Sequence, residues 1–379
     1  MSAPPEPRRV LFLQVANPAS FPPILHAAEL MADAGWQVTL LAAPIRGGTL
    51  MMTPRTNVEL RAIAERPAHI VSRGVWLSYV AAAASLALRR RPHLIYASDP
   101  LSAGAALAAT RLTGARLVYH EHDSPAPGAP ERWIGRLRRR AAQRAELVVL
   151  PNAARAAAAG ADLGVADKTV IVWNLPRRRE LPQLACGPQD RLELYYHGNI
   201  SPDLLPEAAV RALARLDRPA RLRIVGYEAP GAAGYVRRLV GLAARDGAAQ
   251  RVEYAGEVSR GDLLAQAAPS EVGLALMPTA SADFNTQNLV GASNKAFDYM
   301  AAGQALLVSD LPDWRETFVL PGYARACDPT DVEALTEALR WFADHPDERR
   351  AMGQRARERV ERDWNYDTAF APILARFSA

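Results

Sequence analysis

The chain has 379 residues, 49% of them hydrophobic and 22% charged, which is long for a single core and predicts two domains of an ordinary globular protein rather than a disordered or fibrous one. Its two cysteines, Cys186 and Cys327, exclude a disulfide scaffold and a thiolate zinc site and suit a reducing cytosol. The net charge of +5 is uneven, because residues 1–175 carry 20 Lys+Arg against 12 Asp+Glu and the remainder 25 against 28, so the basic character belongs to the first half.

In chain order, the opening MSAPPEPRR is polar and proline-rich and does not read as a secretory signal. RVLFLQVA (9–16) is a first buried strand, PILHAAELMADAG an amphipathic helix ending at Gly35, and QVTLLAA a second strand. VWLSYVAAAASLAL (75–88) is too short to span a bilayer and is closed by Arg73 and Arg89, so it predicts a buried or interfacial helix. The basic runs at 89–91 and 136–140 are either solvated helix faces or a surface for anionic lipid or a polyanionic acceptor. Without aromatic-interleaved basic motifs, nucleic acid is not an expected partner. HLIYAS (93–98), RLVYHEH (116–122), LVVLPN (147–152) and TVIVWNLP (169–176) continue the strands, with alanine-rich helices between them. This alternation implies a parallel sheet covered on both faces.

The stretch 174–190 has three prolines and no periodicity, and reads as a linker. The pattern then restarts with strands at 192–199, 220–226, 251–256, 271–278 and 305–310 and helices at 206–216, 233–245 and near 260–267. The end of the chain, from residue 331, reads as almost wholly helical. The expected fold is therefore α/β, with two doubly wound Rossmann-like domains over 1–175 and 191–360, a linker at 176–190, and a terminal helix at 361–379.

NPASFPP, not a Gly-x-Gly-x-x-Gly turn, follows the first strand. There is also no Walker lysine, nucleophile elbow or strict Asp-x-Asp pair; the EHD at 121–123 is a weak metal ligand set, so no metal is assigned. The segment GASNKAFDYMAAGQALLVSD (291–310) is more informative. Ser293 is a good N-cap for a helix starting at Ser293 or Asn294, and the free first-turn amides there form an anion site. Lys295 opposes the helix dipole unless a phosphate sits in front of it. Asp298, one turn on, is placed to accept from two vicinal ribose hydroxyls. The plainer alternative is a capped helix with Lys295 and Asp298 in solvent.

SNKAFDYMAAGQALLVSDLPDWRE resembles the donor-site helix of GT-B glycosyltransferases, specifically the retaining group of family 4, and WNYDTAFAPIL fits their closing helix. The resemblance implies two domains facing across a cleft, with C-terminal helices crossing back onto the first. It implies a metal-independent sugar transfer from a nucleotide-diphosphate sugar, UDP-, GDP- or dTDP-linked, with no permanently bound cofactor. It sets Asp298 at the donor ribose and Ser293, Asn294 and Lys295 at the diphosphate. The family's first glutamate, eight positions before Asp298, is here Val290, with Gln287, Asn288 or Asn285 as substitutes. YYHGNISPDLLPEA resembles the loop where an arginine and a lysine grip the phosphates. Here Gly198, Asn199 and Asp203 occupy that region, and Lys295 is the compensating cation.

In the first domain the resemblance implies a histidine close to the transferred sugar. Side-chain alternation turns His120 and His122 one way and Glu121 the other, with His122, Asp123 and His120 as catalytic candidates. Asn17 and Ser20, in the loop after the first strand, and Asp99, at a strand end, are acceptor-side candidates; Asp99 is equally a helix N-cap. The expected acceptor is lipid-linked, a polysaccharide or a small molecule, in envelope polysaccharide, glycolipid or natural-product glycosylation. The expected place is the cytoplasm or the inner face of the membrane. A GT-B epimerase or phosphorylase, or a degenerate sugar-nucleotide-binding protein, remains the alternative.

Overall fold

The computed structural model describes residues 6–18, 21–43, 55–63, 73–128, 132–184, 190–229 and 231–378. The chain divides into two compact units, Met1–Asn174 with Ala369–Ala379, and Leu175–Thr368.

The first unit is built on a seven-stranded sheet, β1 (Arg9–Gln14), β2 (Gln37–Ala42), β3 (Val58–Ala62), β4 (Leu94–Ser98), β5 (Arg116–His120), β6 (Leu147–Leu150) and β7 (Thr169–Ile171). The order is β3-β2-β1-β4-β5-β6-β7, every pair parallel. The central strands are continuous apolar runs because helices cover both of their faces. Leu11, Leu13, Ile95, Leu117 and Tyr119 form part of one core. The edge strand β3, VELRA, was not expected; a half-exposed edge tolerates Glu59 and Arg61, which erase the apolar signal. β7 is shorter than its apolar run, since the chain leaves the sheet after Ile171.

The second unit carries β8 (Leu192–Ile200), β9 (Ala220–Glu228), β10 (Val252–Tyr254), β11 (Val272–Ala275), β12 (Ala305–Ser309) and β13 (Ala324–Cys327), in the order β10-β9-β8-β11-β12-β13, all parallel. Its core gathers Leu194, Tyr196, Leu213, Ile224 and Leu307. The edge strand β13, ARAC, also escaped the sequence reading, being four residues long with an arginine in it. Residues 175–184 hold a 3-10 turn at Arg178–Glu180, and Arg177 pairs with Asp367 at 2.8 Å. Three helices, Val332–Asp344, Pro346–Arg362 and Tyr366–Ser378, close the chain. The last joins the first unit from Ala369 on, where Arg8 donates to the Phe377 carbonyl (2.8 Å) and Arg116 lies over the Phe377 ring.

The strand order reverses between β1 and β4 in the first unit and between β8 and β11 in the second. At such reversals the C-terminal ends of a parallel sheet form a crevice. In the second unit the helix Lys295–Ala301 lies on β11 because Gly273 has no side chain: a Cβ there would run into the Tyr299 ring. Gly273→Ala is expected to destabilise the protein by about 1–3 kcal/mol through overpacking. That outweighs the ~0.4–1 kcal/mol an alanine gains through the unfolded chain. A lowered urea midpoint at unchanged slope is the readout.

Candidate functional site

In the first unit, β1, β4 and β5 deliver Gln14, Ser98 with Asp99, and His120 with His122 to the same sheet end. Asp99 has a left-handed backbone (φ 68°), unusual for a residue other than glycine, and it aims the carboxylate across the strand ends. Oδ1 accepts from the His122 amide (3.1 Å) and Oδ2 from Gln14 Nε2 (3.2 Å). Asp99 thus precedes the turn Pro100–Ser102 without capping it by its side chain, so the N-cap alternative fails. Burial, opposed by these hydrogen bonds, lifts its carboxyl to about 7.

The His120 and His122 rings lie side by side, centroids 4.1 Å apart. His120 Nδ1 bonds Tyr96 Oη (2.8 Å), and Phe21 packs against His122 at 5.6 Å. Burial lowers both imidazoles, His122 to about 4, so both are neutral at pH 7. Glu121 points the other way, into a buried pair with Arg138 (2.7 and 2.8 Å), and accepts from Tyr119 Oη. Asp123 is exposed and pairs with Arg155 at 3.3 Å, while Arg155 also donates to the His122 carbonyl. Among the described residues, Gln14 Oε1, Ser98 Oγ, His120 Nε2 and both His122 ring nitrogens are buried without a hydrogen-bond partner. Unspent polar atoms at roughly 1–3 kcal/mol each mark a place for a ligand. Asn17 is half-buried in the loop after β1; Ser20 lies outside the described residues.

In the second unit, β8 and β9 run side by side to their ends. Gly226 (φ 133°) must be glycine, because a Cβ would collide with the Gly198 carbonyl. Across from this bare backbone stands Lys295, its Nζ 3.5 Å from where a Cβ on Gly198 would be and 5.6 Å from the Tyr196 ring centre. Among the described residues the ammonium has no carboxylate or hydrogen-bond partner. Burial pulls its titration down to about 8 against the pull of Asp298. Asn199 Oδ1 and Asn294 Nδ2 beside it are likewise unpartnered.

Two expectations for this segment are corrected. Ser293 does not cap the helix: Asn294 is the N-cap residue, already helical in its backbone and making no side-chain cap bond. The Ser293 amide is tied into the preceding turn through the Leu289 carbonyl. Asp298 does not face open space: it is wholly buried, and its two oxygens accept from Arg260 at 2.6 and 2.7 Å. His197 Nε2 lies 3.3 Å away. Burial would raise this carboxyl, but the Arg260 guanidinium and His197 hold it below the usual range. Asn288 and Gln287 spend their amides on the Phe284 and Ser281 carbonyls, Asp203 is exposed, and Val290 is half-buried.

Gln14, Tyr96, Glu180, His197 and Arg260 were missed. Arg260 had a signal, since it opens a helix directly after a strand end in a domain lacking the expected phosphate cations. Its pairing with Glu180 (3.1 Å) and Asp298 needs three distant segments and was not readable. Among the described residues no three His, Cys, Asp or Glu gather as a metal site, and no helix is long and apolar enough to cross a membrane.

Two family models match the chain, one described as "Glycosyl transferase 4-like domain" over residues 23–174 and one as "Glycosyl transferase-like" over 204–375. No curated protein matches in sequence. Similar solved structures include sucrose-phosphate synthase from Thermosynechococcus elongatus (TM-score 0.73, 16% identity, 98% of both chains). HepE from Anabaena, in complex with UDP and glucose, aligns with TM-score 0.73 and 18% identity over 98% of this chain and 99% of that one. A glycosyltransferase from Rickettsia africae gives 0.71 and 14% over 98% of both. At these identities the likeness is one of fold, and the fold is GT-B.

The buried pair generates a stability prediction. Arg260→Ala strands the Asp298 charge in the interior and is expected to cost about 3–5 kcal/mol, whereas Arg260→Leu with Asp298→Leu recovers much of it. Chemical denaturation of both variants measures this; an Arg260→Ala protein as stable as the parent would refute the pairing.

Proposed function

We propose that this chain, which belongs to the GT-B glycosyltransferases and uses a nucleotide sugar as donor, takes a UDP-sugar and passes the sugar, with retention, to a hydroxyl of an envelope acceptor. The observation that carries the donor assignment is the unpaired Lys295 ammonium opposite the bare Gly198–Asn199 backbone at the strand-order reversal of the second sheet. That is where a diphosphate finds a cation and main-chain donors together. HepE is seen with UDP and glucose, which supports uridine as the base.

As the glycosidic bond breaks, negative charge accumulates on the leaving diphosphate. Lys295, with Asn294 beside it, would meet that charge and stabilise the transition state more than the ground state. Asp298 would act on the ribose indirectly, by fixing Arg260 and His197, rather than as the bare acceptor. In the first unit the neutral His122 and His120, with Gln14 and Ser98, would bond the hydroxyls of the sugar and acceptor, and Asp99 would accept from the attacking hydroxyl. Asp123, Asn17 and Ser20 stay peripheral in this scheme. The acceptor would be lipid-linked or polymeric and met at an anionic membrane surface, which suits the basic first half of the chain.

Two measurements test the scheme. Lys295→Ala is expected to weaken UDP binding on the order of 10–100-fold, since charge-assisted contacts are worth about 1.5–3 kcal/mol. In the parent, affinity should fall as pH rises through about 8, where the free-site ammonium loses its proton. Calorimetry that finds the affinity unchanged in Lys295→Ala overturns the donor site. For Asp99 the sign is opposite: the carboxyl is neutral below about 7 and can take the proton of the attacking hydroxyl only when ionised, so kcat/KM should rise with pH through that value. Asp99→Asn should flatten the profile and lower the plateau.

A further inference from the structure

The helix Arg73–Arg90 has no charged residue between its two ends. Its inner face is fixed: Trp76 Nε1 donates to the Leu101 carbonyl (2.9 Å), Trp76 packs edge-on against Trp133 (4.8 Å), and Tyr79 Oη donates to the Leu41 carbonyl (3.2 Å). The opposite face carries Leu77, Ala81, Ala84 and Leu88, spaced by four, three and four residues and so aligned along one side over much of a helix roughly 27 Å long. Leu77 is 59% exposed and Leu88 52%, and Leu112 of the neighbouring helix Ala103–Thr113 is 50% exposed. One exposed leucine is unremarkable, but an uncharged stripe with three of them is a surface that expects cover.

The unpaired charge around this stripe is positive, while Arg90 is matched by Glu59 (2.6 Å). Arg73 stands at one end and Arg89 and Arg91 at the other, with Arg111 beside Leu112, and among the described residues none of the four makes an ion pair or side-chain hydrogen bond. Neither helix contains an acid. Where the first helix ends, a cavity of about 780 Å³ opens, lined by Arg8, Arg9, Arg91, Arg116, Leu88 and Leu112 among others, with no acidic residue in its wall. Arg9 and Arg116 begin β1 and β5, so the cavity lies at the opposite end of the strands from His120 and His122 and belongs to neither ligand site described above.

We propose that the outer face of helix Arg73–Arg90, with the arginine-lined cavity at its end, is the surface on which the first unit docks to an anionic phospholipid bilayer. The leucines enter the boundary between headgroups and acyl chains while the arginine stems lie along it and their guanidiniums bind lipid phosphate. A leaflet fits better than a protein partner because it offers negative charge all along the helix, matching arginines at both ends of the stripe. A lone phosphate would account for the cavity but not for Leu77 and Ala81, about three and two turns away. The proposal rests on the membrane reading given above and says where on the chain it is realised.

The test is cosedimentation of the full chain with phosphatidylcholine vesicles and with vesicles containing phosphatidylglycerol, at low salt and at about 0.5 M salt, where exposed charges are screened. Binding is expected on the anionic vesicles alone and to fall with salt. Leu77→Ser with Leu88→Ser, and separately Arg89→Ser with Arg91→Ser, should each reduce partitioning at least tenfold. Arg136→Ser with Arg140→Ser, in the other basic run, should not. All three double variants should release UDP from donor at the parent rate, which confirms folding. Anionic-vesicle binding that the stripe and end-arginine variants leave intact overturns this face but keeps the membrane reading; a parent that ignores anionic vesicles overturns both.

Discussion

Arg260 holds two acids at once, Asp298 with both of its oxygens and Glu180 from the segment that leads into the second sheet. The arrangement of the donor pocket follows from that. Asp298 is one helical turn from Lys295 on the same helix. Unpaired, its carboxylate would neutralise the ammonium facing the Gly198 backbone and be costly to bury. With Arg260 in place, the acid is satisfied within the fold and Lys295 stays open to an outside anion. The four charges, two of each sign, leave this region close to neutral, so at the proposed donor site a diphosphate would be drawn by local geometry rather than by net charge.

This clarifies why the chain departs from the pattern it resembles. Where an arginine and a lysine are expected after the first strand of the donor domain, it has Gly198 and Asn199, and Gly226 lets β9 press against the carbonyl of Gly198. The strand ends are drawn close and bare. In the proposed donor site, a cation reaching in from the facing helix would do from the side what the missing residues would do from the loop. Tyr299, packed on Gly273, accepts from the His197 amide (3.0 Å) and ties that helix to the end of β8. Position and charge are therefore set by the same few contacts.

How much of this was readable follows from what each feature depends on. The central strands declare themselves as unbroken apolar runs because both faces are covered; β3 and β13, at sheet edges, are half-polar and short and do not. NKAFDYMAAG marks the donor helix, and Lys295 with it, since helix, glycine and strand lie within one local stretch. The fate of Asp298 depends on an arginine 38 positions away and an acid further still, and no local rule links them. Ser293 was misread for a subtler reason: the turn from Leu289, whose carbonyl takes the Ala292 and Ser293 amides, sets the helix start one residue later, at Asn294. Alternation along RLVYHEH correctly separated Glu121 from the two histidines, although β5 ends at His120: the Glu121 amide still bonds the neighbouring Val149 carbonyl, which keeps the period of two beyond the strand.

The two units thus present different electrostatics at equivalent places in equivalent sheets. In the second, charges are buried in pairs and one cation is left over, which suits a diphosphate. In the first, burial keeps both imidazoles neutral and lifts Asp99 toward neutrality, and the unspent atoms are hydroxyl, amide and ring nitrogen. Under the proposed function such a site would discriminate by hydrogen-bond direction rather than by charge, which is what distinguishing one sugar hydroxyl from another requires. The left-handed backbone at Asp99 serves the same end. It turns the one ionisable oxygen pair away from a helix cap, where it would be spent locally, and toward Gln14 and His122, where a change in its protonation is felt by whatever those residues hold.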